Sequence, residues 1–292
     1  MENKKRMQIK KYYSKEVLLL SAGKPNVKAV TFDVWETLLL ERDGWNLRRT
    51  TARCESLEHT LSKLNVGISV EQLASAFKKM ASWLESVWET RKEVTHLDQI
   101  RFIIKTASKG LITVKEEWIE DLSSAYVSPF LEVAPYLNPD ARRVLKWLKD
   151  QNKLVGLVCN TGLTPGFGLR MFLAREDVAK YFDLMLFSDE VGIRKPDSKI
   201  FQIVIKRLKV EPSAIVHIGD NLKNDVWGAK NAEFKAIYLS TNVGRDRIAE
   251  SDPKSLVSIS RKLKRLRKDQ IIPDKTITSL AMAIKAIEEL DT

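Results

Sequence analysis

The sequence predicts an α/β fold in which a parallel β-sheet core is covered by helices on both faces and interrupted by an inserted all-helical subdomain. Three observations support this prediction. Short apolar runs rich in β-branched residues recur along the chain, and segments with the apolar spacing of amphipathic helices lie between them. The stretch between residues 41 and 136 contains little β-rich sequence but several helical patterns.

Five apolar runs are predicted strands, because each is nearly continuous in apolar residues, as expected for a strand covered on both faces. These runs lie at residues 27–32, 154–159, 184–187, 214–218 and 235–239. Residues 139–151 and 198–210 carry helical patterns between the runs. Alternation of this kind is typical of a parallel, doubly wound sheet.

The long stretch after the first strand predicts the domain organisation. A structureless loop of that length is rare in a compact domain, so its helical patterns indicate an inserted bundle. We expect a core built from residues 27–41 and 137–292, a helical cap at residues 42–136, and a basic N-terminal extension at residues 1–26 with no catalytic part.

Composition narrows the functional class. The 292 residues carry a net charge of +11, which by itself speaks to solubility and nonspecific attraction. The basic segment at residues 260–268 has no interleaved aromatic residues and is predicted to be an amphipathic helix with a solvated basic face, so nucleic-acid binding is not expected as the main function. Cys54 and Cys159 match no metal-ligand spacing, and a reducing cytoplasm is the expected location. No apolar run approaches the length of a membrane helix, so no membrane partner is expected.

Polar segments follow four of the predicted strands. They are Asp33, CNTG at residues 159–162, RKPD at residues 194–197, and GDNLKND at residues 219–225. Parallel strands open their C-terminal ends onto one crevice, so these segments can converge there. Asp33 alone would be a turn or helix-cap residue, but together with Asp220 and Asp225 it forms a group of carboxylates that repel one another unless a cation or a proton lies between them. Oxygen ligands with open coordination positions are preferred by Mg²⁺.

These segments resemble, in order and spacing, the four motifs of the haloacid dehalogenase (HAD) superfamily. The matching stretches are FDVWETL, VCNTG, the lysine of VGIRKPDSKIF, and HIGDNLKNDVWGAKNA. The resemblance spans residues 27–238 and implies a Rossmann-like parallel core with a helical cap inserted after the first core strand. PDKTITSLAMAIKAIEEL at the C-terminus resembles the closing helix of that family.

The resemblance implies a hydrolase mechanism and a Mg²⁺ cofactor. Asp33 would be the nucleophile that forms a covalent aspartyl intermediate, which water then hydrolyses. Lys195 would neutralise the charge around Asp33 and the transferred group. Asp220 would bind Mg²⁺ with Asp33 and the backbone carbonyl of Trp35, while Asp225 would hold a metal-bound water or Lys195.

The remaining implied contacts concern the substrate. Cys159, Asn160 and Thr161 follow the second strand, and the family places a phosphoryl-binding hydroxyl at the position of Cys159. A thiol is a weaker donor than a hydroxyl, so Asn160 or Thr161 would have to compensate. Specificity for a small-molecule substrate would reside in the cap. The sequence predicts neither the physiological substrate nor the oligomeric state.

Trp35 departs from the pattern more strongly. Phosphatases of the family carry a second aspartate at this position, which protonates the leaving alcohol, and tryptophan cannot do so. An aromatic residue here resembles the dehalogenase branch, whose leaving halide needs no acid. That branch, however, dispenses with Mg²⁺ and replaces the glycine and aspartate of the fourth motif. This chain retains both residues, as Gly219 and Asp220.

Three functional hypotheses follow. The first is a Mg²⁺-dependent hydrolase of small phosphomonoesters, which the metal motif favours. The second is a 2-haloacid dehalogenase, which Trp35 favours. The third is a non-catalytic binding protein of the same fold, which both departures favour. His59, His96 and His217 show no partner at catalytic spacing and are predicted to have core or surface roles.

Overall fold

The main β-sheet confirms the predicted α/β class. A computed structural model of the chain describes residues 26–240 and 271–291. Within those residues the main sheet has six strands, in the order β5-β4-β1-β6-β7-β8, and every neighbouring pair is parallel. The strands are β1 (Ala29–Phe32), β4 (Leu154–Cys159), β5 (Leu184–Phe187), β6 (Ile215–Gly219), β7 (Lys235–Leu239) and β8 (Lys275–Ile277).

In the described part of the chain, six helices surround this sheet, and two of them lie close to the helical patterns at residues 139–151 and 198–210. They are α5 (Ala141–Asp150), α6 (Gly166–Arg175), α7 (Ser188–Val191), α8 (Ser198–Leu208), α9 (Gly228–Lys230) and α10 (Ala283–Leu290). The strand β8 was not predicted, because its three residues are largely polar and their pattern is too short to read. The C-terminal segment therefore adds an edge strand before its closing helix.

The core of the molecule lies on both faces of the sheet. One apolar cluster joins alternate residues of β1, such as Val30 and Phe32, to α5, α6 and α10. A second cluster joins the opposite residue Ala29 to α8 and to Phe234. The central strands are therefore buried on both sides, which explains why their sequences are continuous in apolar residues.

Four α-helices lie between residues 45 and 132 and form what we call the helical insertion. They are α1 (Trp45–Lys63), α2 (Val70–Glu89), α3 (His96–Ala107) and α4 (Ile119–Glu132). The insertion has an apolar cluster of its own that includes Leu57, Met80 and Ile103. Ser69 and Thr95 begin α2 and α3 with capping boxes, so the two helix starts are encoded locally. The exact division into core and cap stays a prediction.

The two chain segments that connect the insertion to the core pair with each other. Strands β2 (Leu39–Leu40) and β3 (Tyr136–Leu137) form a two-stranded antiparallel sheet. Arg49 of α1 braces this junction, because its guanidinium donates to Glu41 at 2.9 Å and to the carbonyl of Val133 at 2.8 Å. The insertion is thus held at a fixed position beside the C-terminal end of β1.

Two predicted features fall elsewhere in the chain. The basic extension before residue 26 and the amphipathic helix at residues 260–268 lie outside the described residues. Among the helices that the structure describes, none combines the length and apolar content needed to cross a bilayer.

Candidate active site

Four charged side chains meet at the C-terminal edge of the main sheet. Asp33 directly follows β1, and Asp220 directly follows β6. Asp225 lies on a π-helical turn, Leu222–Trp227, and Lys195 lies between α7 and α8. They border a cavity of about 170 Å³, whose lining residues are Asp33, Trp35, Glu36, Asn160, Lys195, Asp220, Asn221, Asn224 and Asp225. The four predicted strand-end segments therefore converge, as the parallel topology requires.

Lys195 bridges two of the carboxylates. Its ammonium donates to Asp33 Oδ1 and to Asp225 Oδ1, each at 2.6 Å, and its side chain is almost fully buried. Burial alone would lower the pKa of Lys195, but Asp225 and Asp33 together raise it above its ordinary value. The ammonium therefore stays charged and serves as a fixed positive group rather than a proton donor.

Asp225 is saturated with hydrogen-bond donors. Its Oδ1 accepts from Lys195 and lies 3.2 Å from His217 Nε2, and its Oδ2 accepts from the backbone amide of Asn221 at 2.9 Å. Burial favours its neutral form, but Lys195 and His217 outweigh burial and hold the pKa of Asp225 well below its usual range. A Cβ atom at Gly219 would come within 2.3 Å of the Asp225 carboxyl carbon, so glycine is needed there.

Asp33 and Asp220 have the opposite electrostatic environment. Burial raises the pKa of Asp33 to about 6, although Lys195 lowers it. Burial and the negative charge of Asp33 raise the pKa of Asp220 well above its ordinary value. Among the described residues, no side chain or backbone amide donates a hydrogen bond to the Asp220 carboxylate. The site therefore holds carboxylates whose ionised forms lack enough compensating positive charge.

This donor set fits a divalent cation. Carboxylate oxygens of Asp33, Asp220 and Asp225 lie within 4.8 Å of one another. Mg²⁺ prefers oxygen ligands, and its charge would relieve the repulsion that raises the pKa values of Asp33 and Asp220. Asp225 already accepts three hydrogen bonds, so Asp33 and Asp220 are the better candidate ligands.

The polar side chains of the loop after β4 bond mainly to other parts of the protein. Cys159 is fully buried and ends β4, and it is not among the cavity-lining residues. Asn160 lines the cavity, but its amide group bonds the backbone of Lys195 in both directions, at 2.9 and 3.0 Å. Thr161 accepts or donates at 3.3 Å to the hydroxyl of Ser188. Of the three predicted substrate contacts, only Asn160 borders the cavity.

Trp35 forms part of the cavity wall. Its ring packs edge-on against Phe130 of α4, with 6.2 Å between the ring centroids. The next residue, Glu36, also lines the cavity and has a φ of 54°, a left-handed conformation that is uncommon for non-glycine residues. The turn therefore places two consecutive side chains at the cavity, and the indole contacts the helical insertion.

His217 is the residue whose partner sequence reasoning missed. Its ring lies in β6 with Nδ1 2.9 Å from the Thr31 hydroxyl and Nε2 3.2 Å from Asp225, so it supports the carboxylate that holds Lys195. Burial lowers the pKa of His217 below its ordinary value, so the ring is neutral near pH 7. The buried ring agrees with the predicted core role, but its pairing with Asp225 was not visible in the sequence, because Asp225 reaches back toward β6 only through the π-helical turn. The signal available in the sequence was the position of His217 on the strand that leads into the fourth motif.

We expect the variant His217→Leu to unfold more easily than wild type, because Asp225 loses a donor and Thr31 keeps only its longer contact, 3.4 Å, to the carbonyl of Val216. The expected loss is about 1 to 3 kcal/mol in the free energy of unfolding. Urea unfolding monitored by circular dichroism measures it. His59→Leu, at an exposed position of α1, is the control. Equal midpoints for wild type and His217→Leu would contradict the supporting role.

Comparisons with known proteins show which family and fold this chain resembles. The family model described as haloacid dehalogenase-like hydrolase matches residues 27–233. A glyceraldehyde 3-phosphate phosphatase from Methanopyrus kandleri is 25% identical over 267 residues, covering 90% of this chain and 98% of that protein. One from Pyrococcus furiosus is 30% identical over 103 residues, covering 35% of this chain and 41% of that protein, so the matched segment spans less than half of that relative.

A solved structure shares the fold. The crystal structure of a 2-haloacid dehalogenase from Pseudomonas syringae pv. Tomato superposes with a TM-score of 0.60 at 22% identity, covering 90% of this chain and 99% of that one. At this identity the likeness concerns the fold, and it does not decide between the chemistry of a dehalogenase and that of a phosphatase.

Proposed function

The chain belongs to the haloacid dehalogenase-like hydrolase family, and we propose that it is a Mg²⁺-dependent hydrolase of small phosphomonoesters that forms a phosphoryl intermediate on Asp33. The observation that carries this proposal is Asp220, an acidic group that faces Asp33 across the cavity without a donor of its own among the described residues. Such a carboxylate is costly without a cation. The phosphatase names of the two relatives also support it.

In the first step, a carboxylate oxygen of Asp33 attacks the phosphorus of the substrate. The P–O bond to the leaving group breaks, and the departing oxygen takes its proton from solvent, since Trp35 has none to give. Water then attacks the phosphorus of the mixed anhydride, which releases inorganic phosphate and restores the carboxylate. The aspartyl phosphate intermediate divides one difficult displacement into two easier ones.

The other residues bind and orient. Lys195 holds Asp33 through a 2.6 Å hydrogen bond and places a positive charge beside the transferred group. Asp225 fixes the Lys195 ammonium from the other side. Asp33, Asp220 and the Trp35 carbonyl would hold Mg²⁺, which when bound offsets negative charge on the phosphoryl oxygens.

A 2-haloacid dehalogenase is the second candidate function, and Trp35 is the observation that favours it. Asp33 would then attack the halogen-bearing carbon, and no acid would be required for the halide. The acidic pair of Asp33 and Asp220 argues against it, because a metal-independent site gains nothing from the second carboxylate.

A substrate panel distinguishes these two functions. Phosphate esters and 2-haloacids are each assayed for released phosphate or halide, with Mg²⁺ and with chelator. We expect Mg²⁺-dependent release of phosphate from activated esters. Chelator-resistant release of halide, with no phosphate released, would overturn the proposal.

Mg²⁺ binding is expected to depend on Asp220 and on pH. Metal ligands must be deprotonated, so affinity should increase as the pH rises through about 6, the pKa of Asp33, with a slope of up to about one logarithmic unit per pH unit for each proton released. Calorimetric titrations of wild type at several pH values measure this slope.

Asp220→Asn should weaken Mg²⁺ binding strongly, whereas Asp121→Asn, at an exposed position of α4, should not. Equal affinities for wild type and Asp220→Asn would show that the metal binds elsewhere or not at all.

A further inference from the structure

A buried carboxylate of the helical insertion reaches the core beside Lys195. Glu93 lies between α2 and α3, and its side chain is 1% exposed. Its Oε1 accepts from Trp88 Nε1 at 3.0 Å and from the backbone amide of Val94 at 2.8 Å. Its Oε2 accepts from Ser188 and Arg194, which both belong to the core. Two donors thus come from the insertion and two from the core.

Arg194 connects this contact to the cavity. It immediately precedes Lys195, and its guanidinium lies 4.1 Å from the centroid of the Trp88 ring. The neighbouring residue Ile193 forms an antiparallel bridge with Lys92. The insertion therefore contacts the segment that carries Lys195 through an ion pair, a stacked ring and a backbone bridge.

Ser188 connects Glu93 to the loop after β4. Its hydroxyl donates to Glu93 and accepts from the backbone amide of Thr161 at 3.0 Å. Gln99 of α3 adds a second link, because its side-chain amide donates to the carbonyl of Gly162 at 3.0 Å. Glu93 thus contacts the Lys195 segment through Arg194 and reaches the loop after β4 through Ser188.

We propose that Glu93 is a positioning residue through which docking of the helical insertion sets the Lys195 segment and the loop after β4 in their working arrangement. The catalytic part of this inference rests on the proposed function, whereas the structural coupling does not.

The physical reason is the cost of separating the partners. Removal of the Glu93 charge in the docked arrangement would leave the buried Arg194 without its counter-ion beside the Trp88 ring. Breaking a buried ion pair by removing one partner is strongly unfavourable. The docked insertion and the ordered Lys195 segment should therefore occur together, because Glu93 of the insertion and Arg194 of that segment neutralise each other's charge.

Glu93→Gln tests this coupling, since it retains the shape of the side chain and removes its charge. Glu190→Gln is the matched control. Glu190 lies on the same short helix as Ser188 and also pairs with an arginine, Arg170, but this pair lies on the exposed surface. Amide hydrogen exchange is measured without substrate for peptides covering residues 159–164 and 188–197. Activity is measured with p-nitrophenyl phosphate and Mg²⁺.

In Glu93→Gln, exchange of both peptides should become about tenfold faster, while peptides of β6 should keep the wild-type rate. The kcat should fall by about tenfold to a hundredfold, as displacement of a catalytic group by about 1 Å can cause. The KM should change by less than about threefold, because the loss lies in positioning and not in uniform binding. Glu190→Gln should behave as wild type in both assays.

Wild-type exchange in the two peptides, or a wild-type kcat, would overturn the inference. If wild type itself lacks phosphatase activity, the proposed function fails while the exchange result still decides the coupling. Should Glu93→Gln not fold, Trp88→Phe provides the same test, because it removes one donor to Glu93 and retains a ring beside Arg194. Its effects should have the same direction and a smaller size.

Discussion

Asp33→Asn is expected to abolish phosphoester turnover while leaving the protein folded. The amide group of asparagine cannot form the covalent phosphoryl intermediate, so the proposed nucleophile is lost. Release of p-nitrophenol at saturating Mg²⁺ measures the loss, and mass spectrometry after acid quench measures the phosphoryl adduct, which only wild type should form. Wild-type turnover in Asp33→Asn would show that another residue is the nucleophile.

The same substitution should not lower stability. A carboxyl group whose folded pKa lies above its unfolded value destabilises the fold at pH values above both, and the pKa of Asp33 is raised from 3.8 to about 6. At pH 7.5 without metal, Asp33→Asn should unfold no more easily than wild type. Its free energy of unfolding should exceed that of wild type by at most about 3 kcal/mol. Loss of the hydrogen bond from Lys195 should reduce this gain.

Asp225→Asn is the matched control, because the pKa of Asp225 is shifted in the opposite direction. Its carboxylate stabilises the fold at neutral pH, a contribution that disappears as the pH falls through its lowered folded value. Removing it leaves Lys195 short of a partner and should cost about 3 to 5 kcal/mol. Urea unfolding of both variants with chelator measures the contrast. Equal destabilisation by both substitutions would contradict the electrostatic account of the site.

Trp35→Asp is expected to raise turnover of alkyl phosphates by up to about 10² to 10⁴, the usual contribution of a general acid. Wild type offers no proton from this position, so its activity should depend steeply on leaving-group acidity, with aryl and acyl phosphates cleaved far faster than alkyl phosphates. The measurement is kcat/KM for a series of esters of increasing leaving-group pKa. The slope of that series should flatten in Trp35→Asp.

Folding must be compared alongside activity, because the Trp35 ring packs against Phe130. Truncating a fully buried aromatic ring costs about 3 to 5 kcal/mol, and the half-buried Trp35 should cost less. Trp35→Asn, which makes a similar hole without an ionisable group, is the control and should gain no alkyl activity. A wild-type protein that already cleaves alkyl esters as fast as aryl esters would show that another group supplies the proton.

Much of the core could be predicted from sequence because its signals are local. A continuous apolar run followed by a polar residue predicts both a buried strand and the edge at which Asp33 and Asp220 lie. The capping boxes at Ser69 and Thr95 likewise belong to their own segments. The strand β8 lacked such a signal, since its residues join the sheet only by pairing with β7.

Tertiary structure alone decided how the carboxylates are hydrogen-bonded. The family resemblance implied different roles for Asp220 and Asp225, but only the structure shows that three donors from separate elements surround Asp225 and that none of the described residues donates to Asp220. Hydrogen bonding and burial set a pKa, and both depend on residues distant in the chain. The sequence by itself thus determined that the four strand-end segments meet at the cavity, although Cys159 and Thr161 do not line it. Docking of the insertion through Glu93, and packing of His217 under Asp225, decided how those residues are held and charged.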